Sequence, residues 1–384
     1  MKKLEKEKFN LKNEKTENDH NFTFVAFCTA GLEGAVAVEL KKYNYKIVYS
    51  SSGRIFFNAR LNDIPFLNMV LKTPDRIALL VKQFKTETFD ELYENIFTSN
   101  ARDLIEKDAK ITIEKVKVAN SKLSATGAIA SVVKKAIIDN IHGSDERKAE
   151  YPFLVILKDD ITYLLLDTTG KSGMHKRGYR LKSSIAPLRE TIAASLIILS
   201  RWNENIPLFD PFCGSGTIPI EASILNIPST SRTYVSESWA ILKNIWQKAK
   251  QKAMQEVEYQ VINSEKKELI FASDRDCKVL KTAQENYQMV KKLFPGSAHI
   301  NFRCLDFRNL PSYHEKAYVI SNLPYGKRLD SDIINEISIL KSKFPNGNFY
   351  LLHPSDKFEK YFGKATKKFK LQNSGIWTYL HMYY

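Results

Sequence analysis

Apolar and polar positions alternate along this chain in two rhythms, and the change between them divides it. From Asn21 to about residue 167, strand-like and helix-like periods are mixed. FTFVAFCTA has the apolar density of a strand, and GLEGAVAVELKKY repeats apolar positions at helical spacing. KIVYS and RIFFNA flank Ser51-Ser52-Gly53, which predicts a hairpin. LNDIPFLNMVLKT and FDELYENIFTS read as helices, with DRIALLVKQFKT as a strand between them. KITIEKVKVA alternates as a strand does, and SATGAIASVVKKAIIDNIHG predicts a helix ending at Gly143. PFLVILK and ITYLLLDTT, joined by Asp159-Asp160, make a second hairpin. This half is α+β.

Beyond Thr169 the pattern becomes regular. GKSGMHKRGYR is a basic linker and PLRETIAASLIILSRW an apolar helix. The strand-like stretches PLFD, ELIFASD, HINFRCLD, AYVISNLP and GNFYLLHP then alternate with helical ones. That alternation predicts a parallel α/β sheet with helices on both faces, in which ligands sit at the carboxyl ends of the strands.

Composition narrows the class. A chain of 384 residues suggests two or three domains, and 43% hydrophobic with 11% aromatic residues excludes wholesale disorder. Lys+Arg 58 against Asp+Glu 43 gives +15, which suggests a polyanionic partner, nucleic acid ahead of an anionic membrane. Residues 1–20 are mixed in charge and lack the apolar core of a signal peptide, so a disordered tail and a cytoplasmic protein are expected. No apolar run approaches the ~20 residues needed to span a bilayer. Cys28, Cys213, Cys277 and Cys304 are scattered, with no CxxC pair and no Cys/His cluster, so neither disulfide framework nor metal site is predicted. Cys28, Cys277 and Cys304 read as buried small hydrophobes, and Trp239, Trp246 and Trp377 as core. Metal catalysis is not suggested by the seven His, nor a serine nucleophile in the absence of a GxSxG elbow.

The sharpest local signal is PLFDPFCGSGTIPIEAS. A short strand ends at Asp210, Gly214 and Gly216 make a tight turn, and a helix follows from Thr217. The glycines allow close approach of a ligand to the backbone, although a plain tight turn has the same look. Asp274 and Asp306 each end a strand. A carboxylate there can accept from ribose hydroxyls (Asp274) or an adenine amino group (Asp306), or simply cap a helix. The fourth element is VISNLPYGKRL, with Asn322, Leu323, Pro324 and Tyr325 after a strand. Methylating an exocyclic amine requires acceptors for both N–H hydrogens, so that the nitrogen lone pair leaves conjugation and faces the methyl donor. The Asn322 oxygen and the Leu323 carbonyl fit that need, and Tyr325 can stack the base.

Taken in order, DPFCGSGT, Asp274, Asp306 and NLPYG resemble the class I S-adenosylmethionine-dependent amino-methyltransferases. FTFVAFCTAGLEGAVAVEL, TPDRIALLVKQFKTETFDELYE, HKRGYR…APLRETIAASLI and FGKATKKFKLQNSGIWTYLHMYY are similar to the bacterial large-subunit (23S) rRNA guanine-N2 methyltransferase family, over a span from about residue 23 to the end. The resemblance implies a ferredoxin-like domain over 21–62, a THUMP RNA-binding domain over 63–167 and a Rossmann-like methyltransferase domain over 168–384. It places S-adenosylmethionine against Asp210, Phe212, Cys213, Gly214, Gly216, Thr217, Asp274, Asp306 and Asn322, and catalysis on Asn322, Leu323, Pro324 and Tyr325. Leu323 departs from the proline many members carry. Asn-Leu-Pro-Tyr-Gly also resembles related THUMP enzymes that methylate tRNA guanosine, which leaves 23S rRNA and tRNA both open as substrate. The long stretch between Asp210 and Asp274, with SESWAILKNIWQKAKQKAM, reads as a helical insertion.

RNA contacts are expected at His175, Lys176, Arg177 and Arg180 in the basic linker and at Lys327 and Arg328 beside the catalytic loop. Residues 357–370 hold six Lys against one Glu with Phe358, Tyr361, Phe362 and Phe369 interleaved, which suits single-stranded nucleic acid or an amphipathic surface helix equally. A non-catalytic RNA-binding protein and a DNA adenine methyltransferase are the remaining alternatives.

Overall fold

The computed structural model describes residues 21–143, 149–181, 188–263, 268–324, 331–373 and 375–384. The tail expected over 1–20, and Tyr325, Lys327 and Arg328, lie outside these.

The described residues form two seven-stranded sheets. The first contains β1 (Phe22–Phe27), β2 (Lys46–Ser51), β3 (Arg54–Ala59), β4 (Arg76–Lys85), β5 (Lys110–Ala119), β6 (Glu150–Lys158) and β7 (Ile161–Asp167), in the spatial order β2-β3-β1-β4-β7-β6-β5. Its helices are α1 (Glu33–Lys42), α2 (Ile64–Val70), α3 (Phe89–Phe97) and α4 (Thr126–Ile141). The pairs are antiparallel except β5–β6, which α4 connects as a crossover. Local chemistry explains the boundaries. The Thr88 hydroxyl accepts from the Glu91 N–H at 3.2 Å and starts α3. Asp159 and Asp160, both in the left-handed region at φ 52° and 58°, turn β6 into β7.

This sheet is strongly curled. Phe56 on β3 and Tyr163 on β7 are three strand spacings apart, ~14 Å in a flat sheet. Their ring centroids lie 5.8 Å apart, over a small core of Val25, Ala78, Leu154, Ile156 and Leu165. β4 sits at the centre, pairing with β1 on one side and β7 on the other.

The second sheet contains β8 (Leu208–Asp210), β9 (Ile270–Asp274), β10 (Ile300–Cys304), β11 (Ala317–Asn322), β12 (Gly347–His353), β13 (Lys367–Asn373) and β14 (Ile376–Tyr383). Its order is β10-β9-β8-β11-β12-β14-β13, and only the β14 pairings are antiparallel. The order reverses between β8 and β11, where a doubly wound sheet opens its ligand crevice. Around it lie α5 (Glu190–Ser200), α6 (Thr217–Ser223), α7 (Lys243–Asn263), α8 (Cys277–Leu293), α9 (Ser331–Glu336), α10 (Ile339–Lys343) and α11 (Glu359–Phe362).

The two sheets are bolted together. α5 is apolar on nearly all sides and packs between α6 and α1, as a buried helix must. The insertion expected between Asp210 and Asp274 is α7 with its leading turn, and it reaches the first sheet. Trp239 stacks on Tyr151 at 4.7 Å and donates from Nε1 to the Glu150 carbonyl at 3.0 Å. A buried polar network completes the joint. Glu39 accepts from the Lys72 and Thr73 backbone N–H groups, and Lys72 Nζ donates to the Ile227 carbonyl at 2.6 Å.

Three expectations are corrected. Residues 367–373 form β13 rather than a surface helix, because Phe369 and Leu371 face inward at strand period while Lys368 and Lys370 face out. Trp377 is 50% exposed, since β14 carries it past the core. Cys277 and Cys304 are exposed and bonded to each other as a disulfide with Cα atoms 5.2 Å apart, because adjacent parallel strands β9 and β10 bring distant sequence positions together. Cys28 is half-buried and free.

Candidate active site

Four loops converge on the carboxyl edge of the second sheet. β8 ends at Asp210, β9 at Asp274, and β11 at Asn322, and Asp306 follows β10 by two residues. The parallel register alone would gather them, and side-chain bonds then fix their relative positions.

Asp210 is buried, accepts from the Ser321 hydroxyl at 2.6 Å and takes the Phe212 N–H at 3.2 Å. It therefore braces the glycine loop against β11, one residue before Asn322, rather than facing open space. Burial pushes its carboxyl up to about 7. The folded protein thus disfavours the ionised form, and this destabilisation grows as pH rises from the ordinary carboxylate range through 7. Asp210→Asn is expected to gain thermal stability over wild type increasingly between pH 4 and pH 7 and to level off above that. Unfolding midpoints across that range check it, and a difference independent of pH would refute the assignment.

The glycine loop is held from two sides. Asp274 Oδ2 accepts from the Gly214 N–H and Oδ1 from the Asp276 N–H, each at 2.9 Å, while Asn286 Nδ2 donates to the Ser215 carbonyl at 3.1 Å. Gly216 has φ +83°, and a Cβ there would lie 3.0 Å from Ala283 Cβ, so loop and α8 approach as only glycine allows. Gly214 has φ +53° and nothing within 4 Å of a Cβ, which leaves open space above the loop. Thr217 and Cys213 are buried beneath it, and burial pushes the Cys213 thiol up.

Asp306 is more committed than the sequence suggested. It accepts the Arg308 N–H at 3.0 Å and holds the Arg308 guanidinium at 2.8 and 2.9 Å, which keeps its carboxyl below the usual range. Phe212 and Phe307 close this corner with ring centroids 5.0 Å apart. Asn322 contrasts with all of these. Its Oδ1 is buried and has no hydrogen-bond partner among the described residues. A buried amide oxygen left unpaired costs free energy unless a ligand satisfies it. Leu323 pins the turn after it, with its side chain buried and its N–H donating to the Leu352 carbonyl at 3.1 Å. Pro324 is half-buried beyond it.

The linker residues divide. Lys176 is exposed, and His175 is half-buried with Nδ1 4.0 Å from Asp75, burial lowering its ring. Arg177, expected to meet RNA phosphate, is instead buried. Its guanidinium donates to the carbonyls of Met174 and Lys72 at 2.7 and 2.6 Å and pairs with buried Glu221 at 3.2 Å. Arg180 is also turned inward, donating to Glu190 at 3.0 Å and to Thr217 Oγ1 at 3.3 Å. The linker's charge count predicts RNA contacts. In the fold, the carboxylates of Glu190 and Glu221, on helices α5 and α6, draw two of those cations into the interior. Among the described residues no group of three or more His, Cys, Asp or Glu is placed to hold a metal ion, and no helix is long and apolar enough to cross a membrane.

An adenosyl-sulfonium cofactor fits these residues: open space over Gly214, Asp274 and Asp306 at the neighbouring strand ends, and an unsatisfied acceptor on Asn322 facing the same edge region of the sheet. Comparison with known proteins bears on the same site. Residues 177–373 match the family model "UPF0020: RMKL-like, methyltransferase domain", and residues 23–78 match an RlmL ferredoxin-like domain. "Putative RNA methyltransferase YpsC" of Bacillus subtilis is 33% identical over 94% of this chain and 96% of its own length. The ribosomal RNA large subunit methyltransferase K/L of Magnetococcus marinus is 27% identical over 80% of this chain, which spans only 44% of that protein. The tRNA (guanine(6)-N2)-methyltransferase of Methanocaldococcus jannaschii is 27% identical over 85% of this chain and 87% of its own. Among solved structures, a "possible methylase" from Clostridium difficile 630 superposes with a TM-score of 0.85 at 33% identity, covering 95% of this chain and 98% of its own. SMU.472, "a putative methyltransferase complexed with SAH", gives 0.83 at 27% identity, with 95% and 98% coverage. The chain therefore belongs to the RMKL-like methyltransferase family, UPF0020, an α/β methyltransferase behind a ferredoxin-like domain, and its methyl donor is S-adenosylmethionine.

Proposed function

We propose that this protein methylates the exocyclic N2 amine of a guanosine in large-subunit ribosomal RNA. The observation that carries the reading is the buried, unpartnered Oδ1 of Asn322 at the carboxyl edge, one residue from the Ser321–Asp210 brace. S-adenosylmethionine supplies an already activated methyl on its sulfonium, so the chain needs to provide mainly orientation. Asn322 Oδ1 accepts one amine hydrogen and the Leu323 carbonyl the other, turning the nitrogen lone pair out of the ring. Asp210 and Ser321 hold that loop at a fixed height against the glycine loop. Asp274 takes the ribose hydroxyls with the lone pairs its two backbone N–H bonds leave free, and Tyr325 stacks the base. The division into a ferredoxin-like part over 21–62, a THUMP part over 63–167 and a methyltransferase part over 168–384 belongs to the same proposal.

Ribosomal RNA is favoured by the large-subunit relatives, while the +15 charge suits either RNA. The second reading, tRNA, is favoured by the archaeal tRNA enzyme, which this chain matches over 87% of that protein's length. Labelled S-adenosylmethionine, offered with unmodified large-subunit rRNA and tRNA in parallel and followed by nucleoside digestion, separates them. N2-methylguanosine from rRNA alone is expected. The same nucleoside from tRNA alone would transfer the mechanism to the second substrate, and no incorporation into either would overturn both.

A further inference from the structure

β13 and β14 form a hairpin whose far end stands above the carboxyl edge of the second sheet. The register fixes this placement. Asn322 pairs with Leu352, Leu352 with Leu380, and His353, the last residue of β12, with Tyr379. Residues 376–378 therefore run on past the edge where the loops converge. Counting two strand spacings across and three residues along, the Trp377 Cα lies ~14 Å from that of Asn322, with its side chain on the opposite face of the sheet, so RNA reaching both would pass over the edge.

The face this end presents is aromatic and basic. Gln372 pairs with Trp377 and Lys370 with Tyr379, so all four side chains share one face. Lys370 Nζ lies 4.7 Å from the Trp377 ring and 5.9 Å from the Tyr379 ring. Trp377 stays 50% exposed, Lys370 has no ion-pair partner among the described residues, and Lys368 on the same face is neutralised by Glu359 at 2.9 Å. Lysines on an outer strand can serve merely to discourage edge-to-edge association, and β13 is the outermost strand of this sheet. At this end, however, the strand edge is already covered, since the Gln372 N–H donates to the Ala30 carbonyl at 3.3 Å and Gly31 packs on the Lys370 backbone, and a half-exposed indole protects no edge.

We propose that this hairpin end is a docking platform for the single-stranded RNA flanking the target nucleotide, with Trp377 stacking a base and Lys370 contacting phosphate. The occupant follows from charge and shape together: an unneutralised cation beside a flat, half-exposed π-face suits a nucleobase next to an anionic backbone. The proposal rests on the RNA reading above and goes beyond it by naming a recognition surface outside the methyl-transfer loops.

The test uses the full chain and unmodified large-subunit rRNA and tRNA transcripts, with filter binding at several salt concentrations. Trp377→Ala is expected to weaken binding by about 5- to 150-fold, the range for losing one base–aromatic stack, and Trp377→Phe to restore part of it. Lys370→Gln is expected to lower the slope of log affinity against log salt by about 1. The KM for RNA rises, while kcat at saturating RNA, S-adenosylmethionine affinity and the thermal midpoint stay at wild-type values. RNA quenching of tryptophan fluorescence gives a second readout, because Trp239 and Trp246 are buried and Trp202 is half-buried. Quenching is expected to fall in Trp377→Phe. Wild-type RNA affinity in Trp377→Ala would overturn the platform while leaving the proposed reaction standing. Equal losses of RNA affinity, cofactor affinity and midpoint would overturn it in favour of a structural role. Concentration-dependent self-association lost in Trp377→Ala, with RNA binding intact, would assign the face to a second copy and overturn it too. No RNA binding by wild type would sink the functional reading together with the platform.

Discussion

Replacing Asn322 by alanine is expected to slow methyl transfer roughly 100- to 1000-fold while S-adenosylmethionine affinity is retained, the usual cost of deleting one preorganised polar group. The structure separates the two effects. The glycine loop is held by Asp274 and Asn286, neither of which hydrogen-bonds to Asn322 Oδ1. The variant also removes an unsatisfied buried acceptor, so its thermal stability should be equal to or above wild type. Single-turnover transfer, cofactor titration and an unfolding curve on one preparation check all three. Equal loss of cofactor binding and transfer would make Asn322 a cofactor residue, and full activity would remove it from the site.

The largest stability effect is expected at Glu221. Its carboxylate is fully buried on α6, five residues after Gly216, and is shared between the Arg177 guanidinium and the Tyr179 hydroxyl at 3.1 Å. Glu221→Ala strands a buried cation, a loss of about 3–5 kcal/mol against a domain stability of about 5–15 kcal/mol. Glu221→Gln keeps an acceptor and should cost less. Denaturant unfolding of the two variants gives the order. Because α6 begins at the glycine loop, the alanine variant should also bind S-adenosylmethionine more weakly. A stable Glu221→Ala would show that Arg177 is hydrated, and would return it to the RNA-facing surface the linker's composition suggested.

The legible part of this fold was whatever a local rhythm encodes. The strands β8 to β12 show as short apolar stretches, and their last residues, Asp210, Asp274 and Asn322, are visible as polar residues ending apolar runs. Parallel pairing places such residues on one edge without further information. The rest depended on contacts between distant segments. Arg177 reads as surface until Glu221 arrives from 44 residues away, and Cys277 meets Cys304 only because β9 and β10 are neighbours. The β13 strand was concealed by its own lysines: Lys368, Lys370 and Gln372 fill every outward position, so the inward Phe369 and Leu371 look isolated in a charged run. Asp306 reads as the last residue of a strand, but β10 stops two residues before it and the carboxylate is taken up by Arg308, a local pairing that apolar rhythm does not encode.

The central position of β4 decides how this protein can be divided. The ferredoxin-like match ends at residue 78, just inside that strand, and a boundary near residue 62 would fall before it. A cut anywhere between β3 and β4 turns β1 and β4 into raw edges, each with a row of unanswered N–H and C=O groups above the apolar Phe24, Ala26, Ile77 and Leu79. Such edges pair with whatever is near, which in a cell means other copies. The residues that match the ferredoxin-like model thus do not close their own sheet, because β4 continues beyond residue 78 and pairs with β7. Of the cuts available, only one after β7 leaves every strand pairing of the first sheet intact, and even that cut exposes the faces that Trp239, α5 and Ile227 cover.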